Sequence, residues 1–196
     1  LNWNPDLRSP LTAPAVDVKA GEYLLAVRGV ELKPPTELFS LFENTAEKSI
    51  EITVGPSADG KGSRTVSVEP LASELALRNR AWVEGNLRRV HEATGGRAAY
   101  VYVPDTAGSG HDYFRRYFYP QSDKDAIIVD ERFNGGGQIP DYYISHLLRP
   151  PLAMWALRFG EDIREPSAAI QGPKVMLINE TAGSGGDMLP WMFRKL

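Results

Sequence analysis

Two short stretches hold residues that could do chemistry together. The first is Asn179-Glu-Thr-Ala-Gly-Ser-Gly-Gly-Asp187, which follows the apolar run Lys174-Val-Met-Leu-Ile-Asn179. The run reads as a buried strand, and Met188 to Lys195 as a helix start. A serine at such a turn can expose its hydroxyl, and the flanking glycines let a substrate backbone approach. The helix end behind it offers unpaired N–H groups and a partial positive charge. Acyl transfer needs this setting for a nucleophile and an oxyanion hole. On its own, Gly-Ser-Gly-Gly also reads as a flexible loop.

The second stretch, Asn134-Gly-Gly-Gly137, follows the apolar run Asp125-Ala-Ile-Ile-Val-Asp130. Glycines at the end of one strand can turn backbone N–H groups toward a serine at the end of another. An oxyanion wants such donors ~2.7–3.1 Å away. The N–H after the serine, at Gly185, would be one of them. A phosphate-binding reading fails for want of the P-loop lysine and its spacing. A plain helix-entry turn remains open for the triple glycine.

These turns need elements to hold them. The first ~70 residues are strand-rich. Glu22 to Arg28 reads as a strand, Glu37 to Glu43 as a short helix capped by Thr36, with Leu38, Leu41 and Phe42 on one face. Ser49–Val54 and Arg64–Glu69 alternate at period two around a turn at Ala58–Gly62. Glu74 to Thr94 reads as a connecting helix with Trp82, Leu87 and Val90 toward a core, ended by Gly95-Gly96. Beyond it, strands at 98–103, 125–130 and 174–179 alternate with helices at 110–118 and 139–148. That pattern predicts an α/β domain, mostly parallel sheet with helices on both faces. Ligands in such sheets gather at the carboxyl ends of the strands, where both glycine turns lie. The expected division is 1–70, a connecting helix over 71–97, and 98–196.

The stretch Ser9-Pro-Leu…Val16-Asp-Val-Lys-Ala-Gly-Glu-Tyr-Leu-Leu-Ala-Val-Arg-Gly29, then the helix and Arg64-Thr-Val-Ser-Val68, resembles a bacterial, permuted PDZ domain. Such domains bind extended peptide as an added strand. The resemblance puts the family's carboxylate-binding loop before residue 1, so the PDZ-like unit is expected to be partial. With Asp130-Glu-Arg-Phe-Asn-Gly-Gly-Gly137 and the serine motif downstream of it, most of the chain resembles the tricorn proteases, relatives of the tail-specific proteases. The resemblance implies that 98–196 is the first half of a serine-protease catalytic domain. It makes Ser184 the nucleophile, with Gly137 and Gly185 as oxyanion donors and Gly136 in reserve should the turn be offset by one. Asp187 resembles the acid that ends the family motif, and it also suits the first helical turn as a cap. Asn134 is a supporting residue of the glycine turn.

A serine needs a base. The resemblance places the family's catalytic histidine before residue 1 and a further glutamate beyond Leu196. Within the chain, His91 reads as a solvated helix face, His111 as a capping or surface residue, and His146 as a packing or surface residue that could approach the site. Lys195 lies about three helical turns, ~16 Å, from Ser184, too far to act as the base. The fragment alone is therefore expected to be inactive. The family's acidic selector of basic side chains would fall near Leu152–Leu157, which is apolar here. Met154 and Trp155 could be core, and Glu161 and Asp162 follow.

A net charge of −3 over 196 residues, with no Lys/Arg block, argues against a nucleic-acid surface. The absence of cysteine excludes disulfides, a thiol nucleophile and Cys-bound zinc, and suits a cytoplasmic setting. No apolar run is long enough for a membrane span, and Leu1-Asn-Trp-Asn-Pro5 is not a signal peptide. Both ends read as cuts through a longer protein. No metal or organic cofactor is expected. The resemblance implies peptide substrates and a homo-oligomer, commonly a hexamer. A PDZ-type peptide-binding module on a catalytically inactive α/β domain is the alternative.

Overall fold

Period-two alternation decides the first part of the molecule. In the computed structural model, which describes residues 7–196, four antiparallel strands form one sheet: β1 (Tyr23–Val27), β2 (Val30–Glu31), β3 (Ile50–Gly55) and β4 (Arg64–Val68). Their order is β2-β1-β3-β4. Ile52 and Val54 point one way from β3, joined by Val27 of β1, Val68 of β4 and Val16 to form a small core. Leu41 and Phe42 pack on this core from a four-residue 3₁₀ turn, Phe39–Phe42, where the sequence predicts an amphipathic helix. The turn begins at Leu38 without a side-chain cap, so Thr36 does not cap it. A run of that length favours the tighter helix. The opening Leu1-Asn-Trp-Asn-Pro5 lies outside the described residues.

Glu22, at the start of β1, grips the Arg64 guanidinium with both carboxylate oxygens, Nη2–Oε2 at 2.9 Å, and also accepts the Lys19 N–H at 2.7 Å. These contacts, Arg64 first, hold its carboxyl at a pKa of about 2, against an ordinary 4.5. A carboxyl with a depressed folded pKa contributes stability above the unfolded pKa and loses it as pH falls through the folded one. Glu22→Gln is therefore expected to lower the urea midpoint of this unit at pH 6 and to shrink its dependence on pH between 5 and 2. An unchanged acid limb in the variant would assign that limb to other carboxylates.

The chain divides into two units, Leu1–Trp82 and Val83–Leu196, inside helix α1 (Leu75–Thr94). In the second unit, β5 (Ala98–Tyr102), β6 (Ala126–Asp130) and β9 (Lys174–Leu177) form a parallel sheet in the order β5-β6-β9. Parallel strands covered by helices read as continuous apolar runs, and every residue of β5 is buried; β9 departs from the buried strand expected, with Val175 exposed and none of its four residues buried, because it is the outer strand at the opposite edge of the sheet. Helix α2 (Gly108–Phe118) packs on β5, and α3 (Pro140–Leu147) packs on α4 (Gly185–Lys195). Val83 is fully buried, while Leu87 and Val90 of the same helix are half-buried. Between α3 and β9 the chain makes an antiparallel hairpin, β7 (Ala153–Trp155) with β8 (Ile163–Glu165), that the sequence does not announce. Met154 and Trp155 sit on it 59% and 63% exposed, so they are not core residues. Among the described residues, no helix is long and apolar enough to cross a membrane.

Register sets up the site. Tyr102 lies beside Asp130, and Asp130 beside Leu177, so the three strands finish side by side. The ladder gains two more rungs, Val103 N–H to Asp130 O at 2.8 Å and Glu131 N–H to Leu177 O at 3.0 Å. The loops that follow β5, β6 and β9 therefore leave from one sheet edge.

Candidate active site

The loop after β6 folds back on Asn134. This side chain is fully buried; its Oδ1 accepts the Gly136 N–H at 2.8 Å and its Nδ2 donates to Val103 O at 3.1 Å. Its own carbonyl accepts the Gly183 N–H at 3.2 Å, which ties the glycine turn to the serine turn. Asn179 completes the link from the other side, its Oδ1 accepting the Phe133 N–H at 2.9 Å. The loop after β5 closes the third side: Gly135 N–H donates to Pro104 O at 2.9 Å and Thr106 N–H to Gly136 O at 2.9 Å.

Ser184 stands at the head of α4, which begins at once with Gly185 instead of near Met188. Its backbone has φ 57° and ψ −117°. That combination lies outside the regions open to an L-residue without strain. The side chain is exposed, while Gly185 and Gly186 behind it are buried. Gly136 packs directly against this turn: a Cβ on it would come within 2.8 Å of both the Gly183 carbonyl oxygen and Ser184 Cβ. Gly136 also has φ +84°, so two independent constraints require glycine there.

The hydrogen bonds sort the predicted donors. Gly136 spends its N–H on Asn134, so it is withdrawn as a reserve oxyanion donor. The N–H groups of Gly137 and Gly185 donate to no atom among the described residues. The two lie close, since a Cβ on Gly185 would be 2.9 Å from Gly137 N. A cleft of about 430 Å³ opens beside Gly137, lined among others by Thr106, Ala107, His111 and Ile139. An exposed hydroxyl, two uncommitted N–H groups and a helix N-terminus can together hold a carbonyl and stabilise an oxyanion.

Asp187 is exposed in the first turn of α4, where its charge suits the helix N-terminus, but the N-cap is Ser184 and no side chain caps the helix by a hydrogen bond. Close by is a residue the sequence reading missed. Glu131 is fully buried and neither carboxylate oxygen has a hydrogen-bond partner. Burial first, then the charges of Asp187 and Asp130, raise its pKa from 4.5 to about 8. Asp130 itself is compensated by Arg132 at 2.7 Å and by the Tyr100 hydroxyl at 2.6 Å. Only the position of Glu131 directly after an apolar strand hinted at its burial.

His146, His91 and Lys195 are engaged elsewhere, whereas His111 faces the cleft. His146 is buried among the rings of Phe114, Phe118 and Tyr142. Its Nδ1 lies 2.9 Å from Tyr142 O and its Nε2 2.7 Å from Arg149 Nη2. A guanidinium only donates, so Nε2 accepts and Nδ1 carries the proton. Burial and Arg149 push the His146 pKa down, although the Tyr142 carbonyl opposes them. His91 is half-buried and meets Gln121 Oε1 at 3.0 Å, so it is not the solvated residue expected. His111 lines the cleft from the first turn of α2, its ring 4.9 Å from that of Tyr142. Lys195 Nζ lies 5.6 Å from the centroid of the Trp191 ring.

The first unit defines a class. Residues 1–73 match the family model of the tricorn protease PDZ domain. The likeness then extends along nearly the whole chain. It is 38% identical to tricorn protease homolog 1 of Streptomyces coelicolor over 95% of its length, and 29% identical to the tricorn protease of Thermoplasma volcanium over 98%. It superposes on a crystal structure of the tricorn protease with a TM-score of 0.86, at 28% identity over 98% of the chain. The chain belongs with the tricorn-like proteases. It spans 17% of the Streptomyces protein and 18% of the Thermoplasma one.

Proposed function

We propose that this chain carries the nucleophile and oxyanion hole of a serine peptidase, on the first half of an α/β catalytic domain. The observation that carries the reading is the backbone of Ser184 at φ 57° and ψ −117°, beside two uncommitted N–H groups from separate turns. Ser184 Oγ adds to the peptide carbonyl carbon, and its proton passes to a base supplied from outside these residues. Gly137 and Gly185 N–H groups hold the oxygen that becomes negative. The base returns the proton to the leaving amine as the C–N bond breaks. Water then adds to the acyl-enzyme and releases the acid, restoring Ser184. Oligopeptides are the substrates. The tricorn likeness extends the reading to a cytoplasmic homo-oligomer that uses no cofactor.

Intact mass after treatment with a fluorophosphonate tests this. In the natural-length protein one adduct is expected, on the peptide containing Ser184. The 196-residue chain alone is expected to stay unlabelled, for want of the base. No adduct on the folded natural-length protein would remove the peptidase reading and favour a PDZ-type peptide-binding module.

A further inference from the structure

Thr106, on the loop after β5, touches both turns. It is fully buried, and its Oγ1 is without a hydrogen-bond partner. Its backbone is paired with the glycine turn on both sides, Thr106 N–H to Gly136 O at 2.9 Å and Ile139 N–H to Thr106 O at 3.0 Å. Its side chain reaches across to the serine turn. A Cβ placed on Gly185 would meet Thr106 Oγ1 and Gly137 O before any other atoms, with Gly137 N next at 2.9 Å. Thr106 Oγ1 and the Gly137 peptide therefore crowd one point against Gly185 Cα. A buried hydroxyl left unpaired is destabilising, so its presence in this contact calls for an explanation.

We infer that Thr106 is a positioning residue of the oxyanion hole. Its hydroxyl oxygen is the spacer that sets how far the Gly185 N–H stands from the Gly137 N–H. An oxygen is the smallest group that fills this gap, and a methyl in its place pushes Gly185 away from Gly137. The inference rests on the peptidase reading and adds to it the residue that tunes donor spacing.

The test compares Thr106→Val, which replaces the hydroxyl by a methyl, with Thr106→Ser, which keeps the oxygen. Both are made in the natural-length protein, and rates are divided by the serines titrated with a fluorophosphonate. Per titrated serine, Thr106→Val is expected to lower kcat about tenfold with KM little changed. Its affinity for a peptide boronic acid, which mimics the tetrahedral intermediate, should fall by a similar factor. Thr106→Ser should keep both near the unaltered values. If Thr106→Val loses only titratable sites or melting temperature, with kcat per site intact, Thr106 is structural and the inference falls. Should Thr106→Val fail to fold, Thr106→Ser still decides, because a tenfold loss of kcat per site there overturns the spacer role. An unaltered protein that neither titrates nor cleaves sinks the peptidase reading instead, a result separable from either of these.

Discussion

Ser184→Ala lowers peptide hydrolysis by the natural-length protein about 10⁴-fold or more, the loss expected when a nucleophile is removed and only binding and the oxyanion hole remain. Ser184→Gly loses as much activity but is the more stable of the two. Ser184 is held at φ 57° and ψ −117°, a conformation that costs an L-residue ~1–3 kcal/mol and glycine little. Against this, glycine loses about 0.5–1 kcal/mol more in ordering the backbone. Relief outweighs entropy, so Ser184→Gly should exceed Ser184→Ala in unfolding free energy by about 1 kcal/mol. Alanine keeps the Cβ and so keeps the strain. Urea unfolding of both variants, with hydrolysis assays alongside, measures the two halves. Hydrolysis surviving in Ser184→Ala would move the nucleophile elsewhere. Equal stability of the two variants would mean that the turn stores no strain.

Glu131→Gln stabilises the second unit at neutral and alkaline pH and does little in acid. The Glu131 carboxyl is buried without partners, and its pKa rises from 4.5 to about 8. A raised carboxyl pKa means that the folded state holds a proton the unfolded state has released. Stability from this group is full below pH 4.5 and is lost as pH rises through 8. The sign is opposite to that of Glu22, whose contribution is lost in acid. Gln keeps the shape and never ionises, so the difference grows with pH and reaches at most about 3 kcal/mol at pH 7. Urea midpoints of both proteins at pH 5, 7 and 8.5 measure it. Parallel pH profiles would show that Glu131 is ionised in the folded protein and has found a partner.

Patterns of residue type carried much of this architecture. β5, β6 and β9 are apolar runs bounded by turn residues, and β3 and β4 alternate cleanly, so their identity depends on local sequence. β7 and β8 are three-residue strands that, among the described residues, pair with each other alone, too short to show any period. The 3₁₀ turn at Phe39–Phe42 looked helical because apolar spacing over four residues does not separate the two helix types. At the site, the two glycine turns were legible as a pair, because each follows an apolar run and so falls at the carboxyl end of a parallel strand; either alone also reads as an ordinary loop. Which glycine keeps a free N–H was not, because that depends on where the Asn134 side chain folds back. Glu131 stood hidden in Asp130-Glu-Arg132, which reads as a charged surface turn. The extra rung from Glu131 N–H to Leu177 O keeps it within the sheet. Thr106 carried no sequence signal at all; its importance comes from a contact across three loops.

Asn134 reaches the serine turn through Gly183, whose N–H its carbonyl accepts, and through Gly186, which packs against it; both are synthesised after it. When Ser184 emerges, its contorted turn has no support until β9 docks beside β6 and Gly136 seats behind it. The backbone that presents the Ser184 hydroxyl is therefore maintained by residues about fifty positions away in sequence, so a change at Gly136 is felt at the serine without touching it chemically.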